Sequence, residues 1–242
     1  MKAKKEKSLS VQIQCISAKS FTPEFSKRAV LKFLVIVVIG SFFRCAPFSS
    51  DLQSARMVGK GRVEVTPEYS SIQFAEQERQ LEKGEVQKST GTLKGLQVAY
   101  GLSEKIDFRV RAEHFEFRNI STYVFSIGTK MSLVKDRVAL YLPIWFVDFK
   151  PAAIQPTLLL TFPVVKNKIE FNPSVKNIIS LGGYDPNSTF LVGVNAGLGI
   201  STDLSKWALR PEYSMVYNVA EKCQYRSFSI GLSLNMSLLL KR

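Results

Sequence analysis

Histidine and cysteine are nearly missing from this 242-residue chain, which has one His and three Cys. His114 is the lone imidazole and there is no CxxC pair, so the donor set of a zinc-type site is lacking. Cys15, Cys45 and Cys223 do not make a disulfide framework. Long apolar runs are also missing. The longest, Phe33–Phe43, has 11 residues, whereas a spanning helix needs about 20. Leu181–Thr189 has glycines but not the Gly/Lys spacing that cradles phosphate, so it reads as a loop turn. No nucleophile motif surrounds any serine. These absences exclude a metal centre and imply no cofactor.

The charge of +13 is less informative than it looks. Residues 1–44 hold nine Lys/Arg against two Glu and so supply +7 of it. No basic helix or basic-aromatic pattern accompanies the rest, so a nucleic-acid partner is not expected. Lys27, Arg28 and Lys32 precede the short apolar run, the order of a secretory signal. Residues 1–26 are polar, basic and aperiodic. Either the basic region before the apolar run is unusually long, or translation starts near Val30 or Leu31.

What the chain does have is alternation. From Phe228 to Leu240 every second residue is large and apolar: Phe228, Ile230, Leu232, Leu234, Met236, Leu238, Leu240. Ser229, Gly231, Ser233, Asn235 and Ser237 fall between them. That is the period of a strand. The same period predicts ten strands: Arg62–Phe74, Thr92–Gly101, Ile106–Phe117, Thr122–Val134, Val138–Phe149, Ile154–Val165, Ile169–Ser180, Phe190–Ser201, Trp207–Tyr217 and Phe228–Leu240. Ile154–Val165 is nearly apolar all round. Pro143, Pro163, Pro173 and Pro211 fall inside strands and should each mark a bulge, an end or a weak point.

The expected fold is all-β: a closed antiparallel up-and-down transmembrane β-barrel of about ten strands. Three segments follow: an N-terminal extension and signal peptide (1–44), a polar tether (45–60) and the barrel domain (61–242). Leu102–Lys105, Lys135–Arg137, Lys166–Lys168 and Asp203–Lys206 read as short turns at one end. Ala75–Gly91, Arg118–Ser121, Lys150–Ala153, Leu181–Ser188 and Asn218–Gln224 lie at the other. Outer-membrane barrels keep their short turns in the periplasm, which would put both barrel termini there and the protein in the cell outer membrane.

The apolar faces would then meet lipid, and Tyr69, Tyr100, Tyr123, Trp207 and Tyr217 would suit interfacial girdles. The polar faces would line the lumen, with a charge cluster of Asp107, Arg109, Arg111, Glu113, Lys130, Glu170, Arg210 and Glu212. Arg62, Glu64, Glu68 and Lys176 share those faces. Mixed charges in a narrow lumen should pair and plug it; an ion path along Arg109, Arg111 and Arg210 is the alternative. A soluble surface-anchored or periplasmic barrel with an apolar ligand cavity has the same alternation with the faces inverted. A lipid- or peptide-acting outer-membrane hydrolase would need His114 as base for Ser121 or Ser126; without a nucleophile motif, no enzyme is expected. Glu76–Lys88 is the segment best placed for outside contact.

Cys45-Ala46-Pro47 resembles the start of a bacterial lipoprotein, although Phe42-Phe43-Arg44 departs from the small residues such signals place before the Cys. The competing cleavage lies near Gly40 or Ser41. With Ser54–Pro67 and Ala99–Phe108, this stretch resembles small outer-membrane β-barrel proteins of Gram-negative bacteria. The resemblance covers residues 45–242 and implies architecture, outer-membrane lipid and the barrel assembly machinery as partners, and no activity or oligomeric state. The Leu240-Lys241-Arg242 end departs from the terminal aromatic common in that group. Acylation of Cys45 predicts that the protein incorporates labelled fatty acid and that Cys45→Ser does not; label retained by the variant would refute it.

Overall fold

The computed structural model describes residues 50–75, 88–118, 120–181, 190–218 and 223–239. Cys15, Cys45, the signal-like segment, nearly all of Glu76–Lys88, most of Leu181–Thr189 and Leu240–Arg242 lie outside them. Ten antiparallel strands run in chain order. The first five are Val63–Ala75, Lys88–Gly101, Ile106–Phe117, Ile120–Val134 and Val138–Val147. The sixth is broken into Lys150–Ile154, Thr157–Leu160 and Phe162–Val165. Ile169–Ser180, Phe190–Ile200, Trp207–Asn218 and Cys223–Asn235 complete the set. Each pairs with its neighbours in sequence, and the first pairs with the tenth from Glu64↔Asn235 to Phe74↔Tyr225. The sheet therefore closes and has no free edge.

The expected bounds of the third and seventh strands are the observed ones. Other expectations need correction. The second and tenth strands begin at Lys88 and Cys223, ahead of the expected Thr92 and Phe228, so the ends of the expected loops Ala75–Gly91 and Asn218–Gln224 are strand. Lys150–Ala153 is strand, not loop: Val147 pairs with Lys150 across Asp148-Phe149, which have φ of 47° and 63°. Positive φ at both central residues is the two-residue hairpin geometry that suits strand twist. The tenth strand stops at Asn235, and Met236–Leu239 form one helical turn. Beyond Val63 the first strand has no backbone left to pair with, because the chain turns away there. The Val63 amide instead donates to Ser237 Oγ at 3.0 Å.

Proline behaves unevenly. Pro163 adjoins a register shift as expected. Pro143, Pro173 and Pro211 pair regularly on one side, with Gly128, Ala196 and Ile230, but on the other side Pro143 and Pro173 face the breaks in the sixth strand and Pro211 faces a gap in pairing with the eighth. The sixth strand breaks at Gln155-Pro156 and at Thr161. Its freed amides are still bonded: Gln155 to the Pro143 carbonyl (3.0 Å) and Thr161 to that of Arg137 (2.9 Å).

The two faces settle which way the barrel is turned. In the third strand, Ile106, Phe108 and Val110 are exposed while Asp107, Arg109, Arg111 and Glu113 are buried. Leu96, Val98, Ile127, Val175, Val194, Leu198, Ile230 and Leu232 are likewise outside. Ser126, Lys130, Glu170, Ser174, Ser214, Ser229 and Ser233 are inside. The inverted reading, a water-soluble barrel around an apolar cavity, is thereby overturned. Tyr100, Tyr123 and Tyr217 are exposed near strand ends as girdle residues would be, but Tyr69 is at mid-strand opposite Ile230.

One part of the lumen is apolar. Val124, Trp145, Ala153, Ile178, Leu191 and Val216 form a buried cluster toward the end that carries the loop between the seventh and eighth strands. At the opposite end the backbone of Gly59 passes so close to Gly101 that a Cβ on Gly101 would lie 1.9 Å from the Gly59 carbonyl oxygen. Gly101→Ala should therefore cost about 1–3 kcal/mol through forced backbone movement. Gly197→Ala, whose nearest contact would be 3.3 Å away, should cost less. Midpoints of chemical denaturation compare the two.

Candidate functional site: the charged lumen and the segment inside it

A strand places residues i and i+2 on one face. That alone lines up Asp107, Arg109, Arg111 and Glu113 along the lumen. The register then sets Lys130 opposite Asp107, and Glu170 and Arg210 on the two strands that flank Phe190–Ile200. Small inward residues make the room. A Cβ on Gly193 would meet Lys176 Cγ and Cε at 2.8 Å, and one on Gly199 would meet Glu170 Cγ at 2.7 Å.

The expected cluster separates into groups. Arg111 binds Glu68 with Nε and Nη2 at 2.6 and 2.8 Å and Glu113 at 3.0 Å, and its guanidinium lies 5.5 Å over the Trp145 ring. It thus joins the acidic layer to the apolar cluster. Asp107 faces both Arg109 and Lys130 at 3.4 Å, with Glu64 at 3.7 Å from Arg109. Arg210 pairs with Glu170 at 3.2 Å and donates to Ser233 at 2.9 Å. Glu212 pairs with no arginine. Arg62, assigned to the lumen from the sequence, is exposed at the mouth.

Glu212 is instead taken up by a part of the chain that sequence reasoning left outside the barrel. Residues 50–60, the described part of the expected tether, run through the lumen, and Ser50, Asp51, Leu52, Gln53, Ser54, Ala55 and Val58 are all buried. The amides of Asp51 and Leu52 donate to the two oxygens of Glu212 at 2.7 and 2.9 Å. The Ala55 amide donates to Thr161 Oγ1 at 2.8 Å, and the Val58 amide to Asp107 at 3.2 Å. In the other direction, Arg111 Nη1 donates to the Ser50 carbonyl at 2.7 Å. Lys130 Nζ donates to the carbonyls of Ser54 (3.2 Å) and Arg56.

Two side chains of the segment complete ion pairs. Asp51 accepts from Ser174 Oγ at 2.6 Å and from Asn195, and lies 3.6 Å from Lys176 Nζ. Arg56 Nε donates to Glu170 Oε2 at 2.6 Å. Ala55 also packs with Ala139, Tyr141 and Leu159. Beside the segment, a gap lined by Leu52, Gln53, Asn172, Arg210 and Glu212 has no room for a water molecule, and another, lined by Glu64, Trp207, Arg210, Ser233 and Asn235, has room for no more than a water molecule. The segment enters at the short-turn end, where Gly61 N bonds the Gly101 carbonyl at 2.8 Å, and reaches Ser70 of the first strand at Ser50.

Of the residues considered for hydrolysis, His114 and Ser121 meet and Ser126 stands apart. His114 Nε2 lies 2.7 Å from Ser121 Oγ, and Nδ1 lies 3.4 Å from Glu116. Glu116 is shared with Lys94 at 3.0 Å, and the row is exposed on the outer wall, where water competes for every contact. Ser126, the other serine considered for His114, is buried in the lumen. No group of His, Cys, Asp and Glu among the described residues could hold a metal ion.

No protein-family model matches the sequence, and no curated protein matches it. Among solved structures, it is similar to the translocator domain of the autotransporter NalP from Neisseria meningitidis: 12% identity, TM-score 0.43, covering 73% of this chain and 88% of that one. KdgM porin gives 10% identity and a TM-score of 0.36 over 72% of this chain and 98% of that one. Ail of Yersinia pestis gives 11% and 0.31 over 73% and 99%.

Because Arg111 holds two buried carboxylates and the Ser50 carbonyl at once, Arg111→Ala should destabilise the barrel by about 3–5 kcal/mol. Lys94→Ala on the exposed outer pair should cost about 1 kcal/mol or less. Denaturant midpoints of the two variants measure the difference.

Proposed function

We propose that the chain is an integral outer-membrane β-barrel protein closed by its own residues 50–58. In this reading both barrel termini are periplasmic, the outer wall contacts outer-membrane lipid, and the barrel assembly machinery inserts it. The role is structural, adhesive or minor transport, carried by the loops at the end away from the termini. It is not an enzyme. The observation that carries the reading is the inside-out distribution: apolar side chains outside every well-ordered strand, and a lumen filled with paired charge and main chain.

Backbone groups in hydrocarbon must be paired within the protein, and a closed barrel pairs them. Strands of ten or more residues, such as Ile106–Phe117 and Trp207–Asn218, exceed the roughly 9–11 tilted residues that span a bilayer core. No described helix is long and apolar enough to cross. In water the same exterior would be one continuous apolar surface, a state that soluble monomers avoid.

Closure follows from occupancy. Arg109, Arg111 and Arg210 do not line an open path, since Arg111 and Arg210 are engaged with carboxylates and the segment runs between the walls. A lipid anchor at Cys45 fits this reading and stands on the fatty-acid test above. The protein should stay in the membrane pellet after carbonate extraction, migrate heat-modifiably on gels, and give no resolvable conductance steps in planar bilayers. Release by carbonate would overturn the membrane reading, and stable steps the closed one.

A further inference from the structure

We propose that the lumen is a binding tunnel for a polypeptide segment, with residues 50–58 as the ligand it holds in cis. This rests on the closed-barrel reading above and adds what the closed site recognises. Wall residues that only filled space would pair with one another. Here Glu212 spends both oxygens on the amides of Asp51 and Leu52, and Lys130 spends its ammonium on the carbonyls of Ser54 and Arg56. Asp107, Thr161 and Arg111 each bond a further main-chain group. Carboxylates that accept from amides and cations that donate to carbonyls recognise main chain whatever its side chains, here one that turns at Leu52 (φ 49°) so that two successive amides face Glu212.

Specificity is added at two points. Lys176, Ser174 and Asn195 form a pocket for the Asp51 carboxylate. Glu170 receives the Arg56 guanidinium five residues later. Between them Ala55 packs against Ala139, Tyr141 and Leu159, which limits that position to a small side chain. The ligand class is therefore a peptide with a carboxylate, a small residue four positions on and a cation next to it, able to turn just after the carboxylate. The joint to the barrel, Gly59-Lys60-Gly61 with glycine φ of 91° and 70°, makes the cis ligand a tethered one. A tethered ligand held by side-chain pockets can be exchanged for a free copy.

The test uses full-length protein in detergent and a fluorescent peptide with the sequence of residues 50–58, labelled after Val58. Asp51→Ala with Arg56→Ala empties both pockets. A Gln53→Cys reporter, in a chain with its three native cysteines changed to Ser, should turn from thiol-protected to reactive in that variant. The peptide should then bind it at least 10-fold more tightly than it binds the parent, whose site is filled. A peptide with the acidic and basic residues exchanged should bind at least 10-fold more weakly, and Lys176→Ala with Glu170→Ala in the receptor should remove the preference. Equal affinity for the two peptides overturns the proposal. So does a reporter that stays protected with both pockets emptied, or a peptide that fails to bind once the segment has left. Heat-modifiable migration of each variant shows that the barrel is folded, and conductance steps from the parent would mark failure of the closed-barrel reading instead.

Discussion

Charge inside a narrow lumen must be matched by something that also faces the lumen, and the rest of this structure depends on that requirement. A lone ion there loses its hydration and gains little in return. The walls alone do not meet the requirement. Lys130 has only a 3.4 Å approach to an Asp107 that it shares with Arg109, and the cation that acts on Glu212, Lys176, is shared with Asp51 of the segment. Residues 50–58 complete both. Their peptide groups supply donors and acceptors, and Asp51 and Arg56 supply one charge of each sign, so the segment adds partners without adding net charge. The inward glycines are part of the same solution, since Lys176 and Glu170 lie over Gly193 and Gly199 of the neighbouring strand, where a Cβ would collide with them.

Outside, the constraint runs the other way. Lipid offers no hydrogen bonds, so the ladder must close on itself. That explains how the sixth strand can be broken twice without opening the barrel. Each break hands its amide to a neighbouring carbonyl, and Asn177 reaches the Pro156 carbonyl at 3.0 Å from the other side. The tenth strand obeys the same rule. It ends where the first strand stops offering backbone, although its apolar alternation runs on through Leu238.

Much of the fold was legible because alternation with period two is a strong local signal wherever one face is apolar and the other polar. The third and seventh strands meet that condition and their limits were readable. Ile154–Val165 does not: it is apolar on both faces, and neither its early start at Lys150 nor its breaks left a periodic trace. Inside and outside were not legible, because inversion leaves alternation unchanged. The lumen residues of the wall were readable from their face, but Asp51 and Arg56 were not. Ser, Asp and Gln suit solvent, and they suit a polar lumen equally well. The available signal was the glycine pair around Lys60, placed where a chain must reverse before its first strand.

That reversal ties closure to stability. Gly101 has no Cβ, so the Gly59 carbonyl can pass against it, and Gly61 and Arg62 then bond to Gly101 from both directions. The contact fixes where the segment turns into the lumen, and so fixes which main-chain groups meet Glu212, Lys130 and Asp107. Moving the segment by one residue would change which amides and carbonyls face those three groups and would displace both Asp51 and Arg56 from their pockets. The lumen contents are therefore in register with the wall, much as one strand is with the next. A filling held in register contributes to the fold itself, and the interactions that keep the barrel shut are the same ones that neutralise its interior.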